Sequence, residues 1–91
     1  MLHIVKDTAK LALAQRYCLA EDSIILVEEA VYMSNPSAGS FLLLNDLNRV
    51  YVLLEDLCAR GVQDLCSVQI TKVDFSGFVE LTTNYEKSIT W

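Results

Sequence analysis

The sequence predicts a small α/β fold: a single-domain βαβ layer with a mostly parallel sheet of four to five strands flanked by helices. Three observations predict it. Four short apolar segments recur along the chain, Leu2 to Val5, Ile24 to Leu26, Val50 to Leu53 and Val68 to Val73. The second and third are apolar at consecutive positions, as a strand covered on both faces requires, and this argues for parallel pairing. Stretches with helical spacing separate the segments, and right-handed crossovers turn such alternation into βαβ units. With 91 residues, there is length for one domain, spanning 1–91, and none for a second.

The elements follow in order. After the first strand, Asp7 offers a carboxylate to free amides, and a helix runs through Leu11, Ala14 and Cys18 on one face, ending before Glu21 and Asp22. The second strand leads into a helix starting at Glu28 or Glu29. It stops near Ser34, because Pro36 disfavours helical geometry in Asn35. Phe41 to Asn48 reads as another short helix. The third strand runs into Glu55, Asp56, Leu57, Cys58, Ala59 and Arg60, and Gly61 is placed to close that helix in a left-handed cap. Asp74 opens the last helix, through Phe75, Phe78, Val79 and Leu81, with Gly77 inside it. Ser88 to Trp91 adds a short edge strand.

Charge and composition narrow the function. Seven Lys and Arg against twelve Asp and Glu give a net charge of −5, so a nucleic acid would meet repulsion. No apolar run approaches the roughly 20 residues of a membrane span. The opening residues carry no basic leader or cleavage site, so a cytoplasmic chain is expected. Cysteines at 18, 58 and 66 are odd in number and form no C-x-x-C, and His3 lies far from them in sequence. Neither a disulfide framework nor a metal site is indicated. The glycines at 39, 61 and 77 are scattered, so no phosphate-cradling loop exists and no cofactor is expected. Finally, 53% hydrophobic residues exceed what so short a chain can hide, and the surplus asks for a subunit interface.

Ligands of open α/β sheets gather beyond the carboxyl ends of the strands. Here that edge carries Lys6, Asp7, Glu28, Glu29, Glu55, Asp56 and Asp74. A carboxylate cluster could serve acid–base or metal chemistry, but helix-dipole complementarity accounts for every acid. Cys18 reads as packing; Cys58, near the start of its helix, is opposed by Glu55 and Asp56; Cys66 lies in a loop with no base beside it. His3 reads as a histidine satisfied within its strand. Trp91 needs a cover, either its own core or another chain.

Several stretches resemble the TusB/DsrH family. They are the opening Met1, Leu2, His3; the run Ser23 to Tyr32; the element Val50 to Gly61, containing Glu55, Asp56, Leu57, Cys58, Ala59, Arg60, Gly61; and Val73 to Thr82 with the terminal Trp91. The resemblance implies a DsrE/DsrF/DsrH-like α/β layer. It implies a cytoplasmic subunit of a sulfur-relay complex, joined to two related sister subunits in a hexamer with two copies of each of three chains. Such a complex passes persulfide sulfur between upstream and downstream carrier proteins, toward 2-thiolation of the tRNA wobble uridine, and the indispensable cysteine belongs to a sister subunit. In the sulfur-oxidising branch some relatives carry a cysteine in the first helix. It aligns with Ala14, one turn before Cys18, which makes Cys18 a candidate sulfur acceptor in that alternative. A stand-alone homo-oligomeric module is the third reading. Tyr32, Phe41 and Trp91 are the candidate interface residues.

Overall fold

Segments apolar at consecutive positions have to be covered on both sides, and they occupy the middle of the sheet. A computed structural model describes residues 1–44, 47 and 49–91. Among them five strands form one wholly parallel sheet: β1 (Leu2–Val5), β2 (Ser23–Leu26), β3 (Val50–Leu53), β4 (Thr71–Val73) and β5 (Ser88–Thr90), in the order β4-β3-β2-β1-β5. Every residue of β2 is buried, and all three of the edge strand β5 are exposed. The four- to five-stranded, mostly parallel expectation resolves into five strands, all parallel.

Alternation along the strands builds two cores. Val5, Ile24, Leu26 and Val52 point to one face and pack with Leu11 and Ala14 of α1 (Leu11–Tyr17) and Leu57 of α2 (Leu54–Ala59). Leu2, Ile25 and Leu53 point to the other, under Phe78 and Leu81 of α3 (Phe75–Asn84). Topology explains why α3 is alone there. Three crossovers step the chain from β1 to β4 in one direction; the fourth returns past all of them to β5. With the handedness constant, that return lies on the opposite face.

Local chemistry accounts for the element ends, and in places corrects the sequence reading. Asp7 accepts the Ala9 N–H at 2.9 Å and begins a 3-10 turn, Thr8–Lys10, ahead of α1. The helix then stops at Tyr17, earlier than expected. The Leu19 N–H bonds the Asp22 carboxylate, and Cys18 is extended (φ −77°, ψ 121°), so Cys18 caps the helix and does not continue its apolar face. Glu28–Ser34 has the expected bounds, and Asn35 is extended before Pro36, but the segment is 3-10. It starts from Glu28 in the left-handed region (φ 50°), whose N–H is held by Asp56, and this launches a tight turn. Phe41–Leu44 is also 3-10, and the expected continuation over Asn45, Asp46 and Asn48 lies outside the described residues. β4 is shorter than expected, because Ser67 accepts the Ile70 N–H through its carbonyl and the Gln69 N–H through its hydroxyl. Residues 67–70 thus turn, and Val68 stands in solvent.

Two glycines fit the places where they sit. Gly61 (φ 67°) closes α2: its N–H bonds the Cys58 carbonyl, and the Val62 N–H bonds that of Leu57, the paired bonds of a Schellman ending. At Gly77 a Cβ would lie 3.1 Å from the Val73 Cβ, so any larger residue would push the start of α3 a few tenths of an ångström away from β4.

Candidate functional site

The place where an open parallel sheet ordinarily binds ligands is the crevice between two strands whose exits leave on opposite faces. Here that is the carboxyl end of β3 and β4, since β3 enters α2 and β4 enters α3 on opposite sides of the sheet. The chain fills it with its own carboxylates. Glu55 Oε2 accepts the Phe75 N–H at 2.9 Å, and Asp74 Oδ1 accepts the Gly77 N–H at 2.8 Å. Next to it Asp56 Oδ2 accepts the Glu28 N–H at 2.6 Å, and Glu29 accepts the Thr8 hydroxyl at 2.8 Å. The acids of the edge therefore do more than complement their own helices: Asp7 and Asp74 cap the turns they precede, whereas Glu29, Glu55 and Asp56 tie neighbouring segments together. An anion arriving at the Phe75 or Glu28 amide would find it occupied and negatively screened.

A second polar cluster, at the opposite end of the sheet, escaped the sequence reading. The register of β1 against β2 pairs Leu2 with Ser23 and so sets Asp22 beside Met1; that of β1 against β5 pairs Leu2 with Ser88 and brings Trp91 alongside. His3, 1% exposed, lies between an acid and an indole. Its Nε2 is 2.9 Å from Asp22 Oδ2, and Trp91 Nε1 is 3.1 Å from its Nδ1. An indole N–H can only donate, so Nδ1 is the acceptor and the proton sits on Nε2, donated to Asp22. The amino-terminal group donates to Asp22 Oδ1 at 2.9 Å, and Leu19 N–H to Oδ2 at 3.0 Å. Burial would push the Asp22 carboxyl up. The bonds from Leu19, His3 and the amino-terminal group, with the charge of the last, reverse this and hold it at about 2.

Cys18 completes the cluster: its Sγ, an Asp22 oxygen and a ring nitrogen of His3 lie within 4.8 Å of one another. That is the composition of a metal site or a Cys-His-Asp triad, and the hydrogen bonding opposes both. A metal-bound histidine presents a lone pair to the ion and donates its other N–H outward; here Nε2 carries the proton and Nδ1 receives one. A triad needs one nitrogen facing the thiol, and both are engaged elsewhere. Burial and the nearby Asp22 charge push the Cys18 thiol up, against a smaller opposite pull from the amino-terminal group. Cys18 stays a thiol, its S–H directed at the Leu19 carbonyl. Cys66 directs its own at the Ser67 carbonyl. Cys58 is exposed and sits next to the last residue of a six-residue helix, at its carboxyl end.

Residues 6–88 match the family described as DsrH like protein. Protein TusB of Yersinia pestis (strain Pestoides F) is 30% identical over 77 residues, covering 84% of this chain and 81% of its own. Protein TusB of Yersinia pseudotuberculosis serotype O:1b (strain IP 31758) matches to the same extent. The chain belongs to the TusB/DsrH family.

Within this TusB/DsrH chain the three candidate interface residues stand in different surroundings. Tyr32 is 42% exposed, with the Arg60 guanidinium 5.5 Å from its ring centre. Phe41 packs against the first core, and Trp91 is half-buried between His3 and Tyr17, its ring nearly parallel to both, with ring centres 6.1 and 5.7 Å away. Among the described residues no helix of this family member is long and apolar enough to cross a membrane.

Proposed function

We propose that this chain is an accessory subunit of a sulfur-relay complex, one that shapes and completes its sister subunits while they carry the reactive thiol. In this reading it joins two related chains in a hexamer with two copies of each. The assembly passes persulfide sulfur between carrier proteins toward 2-thiolation of the tRNA wobble uridine, in the cytoplasm. Family membership supports the relay. The observation that carries the accessory role is the state of Cys18, the thiol clustered with His3 and Asp22, which has no free base and a neighbouring carboxylate that opposes its ionisation. The self-capped acidic edge agrees, since a persulfide anion gains nothing from it. Exposed Leu19, Leu42 and Phe75, at 72%, 72% and 60%, supply apolar surface for sister chains.

The test is genetic and chemical together. A strain lacking the chain should lose wobble-uridine 2-thiolation, and both the wild type and Cys18→Ser should restore it. Restoration by the wild type alone, with Cys18→Ser folded and assembled, would reject the accessory role in favour of Cys18 as sulfur acceptor. Normal thiolation in the deletion strain would reject the pathway. Purification without two bound sister chains would favour a self-assembled module.

A further inference from the structure

We propose that the Asp22–His3–Trp91 chain is a proton-sensitive latch: neutral His3 holds the carboxyl-terminal strand through the Trp91 indole, and protonated His3 lets it go. The geometry forces the asymmetry. Neutral His3 with its proton on Nε2 satisfies both neighbours, donating to Asp22 at 2.9 Å and accepting from Trp91 at 3.1 Å. A proton added from solvent can only go to Nδ1. The bond to Asp22 survives, but two N–H groups then point at each other across the Nδ1–Nε1 distance, and the indole must move away.

What moves is defined by the backbone. Trp91 N–H donates to the Ile4 carbonyl at 2.8 Å, its own carbonyl accepts the Lys6 N–H at 3.3 Å, and β5 has β1 as its one neighbour in the sheet. The outer residues of β5 are exposed and Ile89 is 38% exposed, so the apolar burial that holds the strand down comes from the Ile89 side chain and the Trp91 ring. Beside the ring lies an open, largely apolar hollow of about 290 Å³, lined by Met1, His3, Tyr17, Ile89 and Trp91. Release enlarges this hollow and bares the edge of β1, whose N–H and C=O groups can then pair with another strand.

Few ionisable groups surround the ring. Asp22 comes from the turn before β2, and the amino-terminal group lies on the far oxygen of Asp22. The Cys18 thiol stands at the end of α1, and the Tyr17 phenol lies beyond the Trp91 ring. Arg16 and Glu21 on the α1 side, and Glu86 and Lys87 ahead of β5, are exposed; Lys87 reaches β1 through its backbone, its carbonyl accepting the Leu2 N–H at 3.0 Å. Of these groups Asp22 is the one hydrogen-bonded to the ring, whose other nitrogen takes the indole N–H.

The chain has one histidine and one tryptophan, so nuclear magnetic resonance can follow each side of the latch without ambiguity. The purified full-length protein is titrated from about pH 7.5 to about pH 5, the span in which imidazoles take up protons. The expected result is loss of the Trp91 indole N–H signal's exchange protection and bonded shift, in step with the His3 ring, while β2 amides stay protected. In Trp91→Phe, which keeps a ring and deletes the donor, the His3 midpoint should rise by about 0.5 to 1 pH unit. An indole signal unchanged through the His3 titration would overturn the latch. So would a His3 ring that stays neutral until the fold is lost, or a midpoint unmoved in Trp91→Phe.

Discussion

The two ends of the sheet are both rich in polar groups, and they use them in opposite ways. At the carboxyl end Asp7, Glu29, Glu55 and Asp74 are exposed and each makes a single bond to a nearby amide or hydroxyl. At the amino end one buried carboxylate, Asp22, 7% exposed, collects three donors, and a buried histidine links it to the indole of residue 91. Solvent can replace any one contact at the first end, whereas at the second each group depends on the others. The end where ligands of this architecture usually sit is sealed by replaceable bonds, and the end that holds the chain together is built as a network around a buried acid and a buried histidine.

Predictions sharpen that contrast, from the largest effect down. Asp22→Ala strands the His3 Nε2–H in the interior and takes the acceptor from the Leu19 N–H and the amino-terminal group, and should cost about 3 kcal/mol in urea unfolding. A loss comparable to that of an exposed cap would break the distinction between the ends. The pH profile gives the next effect. The Asp22 carboxyl is near 2 in the fold against an ordinary 3.8, so its contribution is fully present above the ordinary value and drains away as pH falls toward 2. The stability difference between the wild type and Asp22→Asn should therefore shrink when unfolding is measured at steps from pH 5 to pH 2.5. At the other end, Asp74→Ala removes the cap on Gly77 N–H and should cost about 1 kcal/mol. Glu55→Ala, whose Phe75 amide is open to water, should cost about 0.5 kcal/mol by the same measurement.

Much of this architecture was legible because it is local. The consecutive apolar residues of β2 and β3 announced a covered parallel sheet. Gly61 announced the end of α2, and Asp7 and Asp74 announced the turns they cap, since a left-handed cap and an amide-capping carboxylate act within a few residues. Pro36 placed the end of Glu28–Ser34, although it could not say that the segment is 3-10, which depends on the left-handed Glu28 and its bond to Asp56, 28 positions away. Cys18 was misplaced for a similar reason: the carboxylate that takes the Leu19 amide ends the helix one residue before it.

The sequence by itself determined the class of fold, the order of its elements, the acidic edge and the lack of a phosphate loop, because periodicity and turn chemistry are written in neighbouring residues. Only the tertiary structure decided the meaning of His3, Asp22 and Trp91. Residues 3, 22 and 91 meet because β1 lies between β2 and β5 in fixed parallel register. A ring's tautomer depends on which donors and acceptors face it, and spacing along the chain carries no record of that.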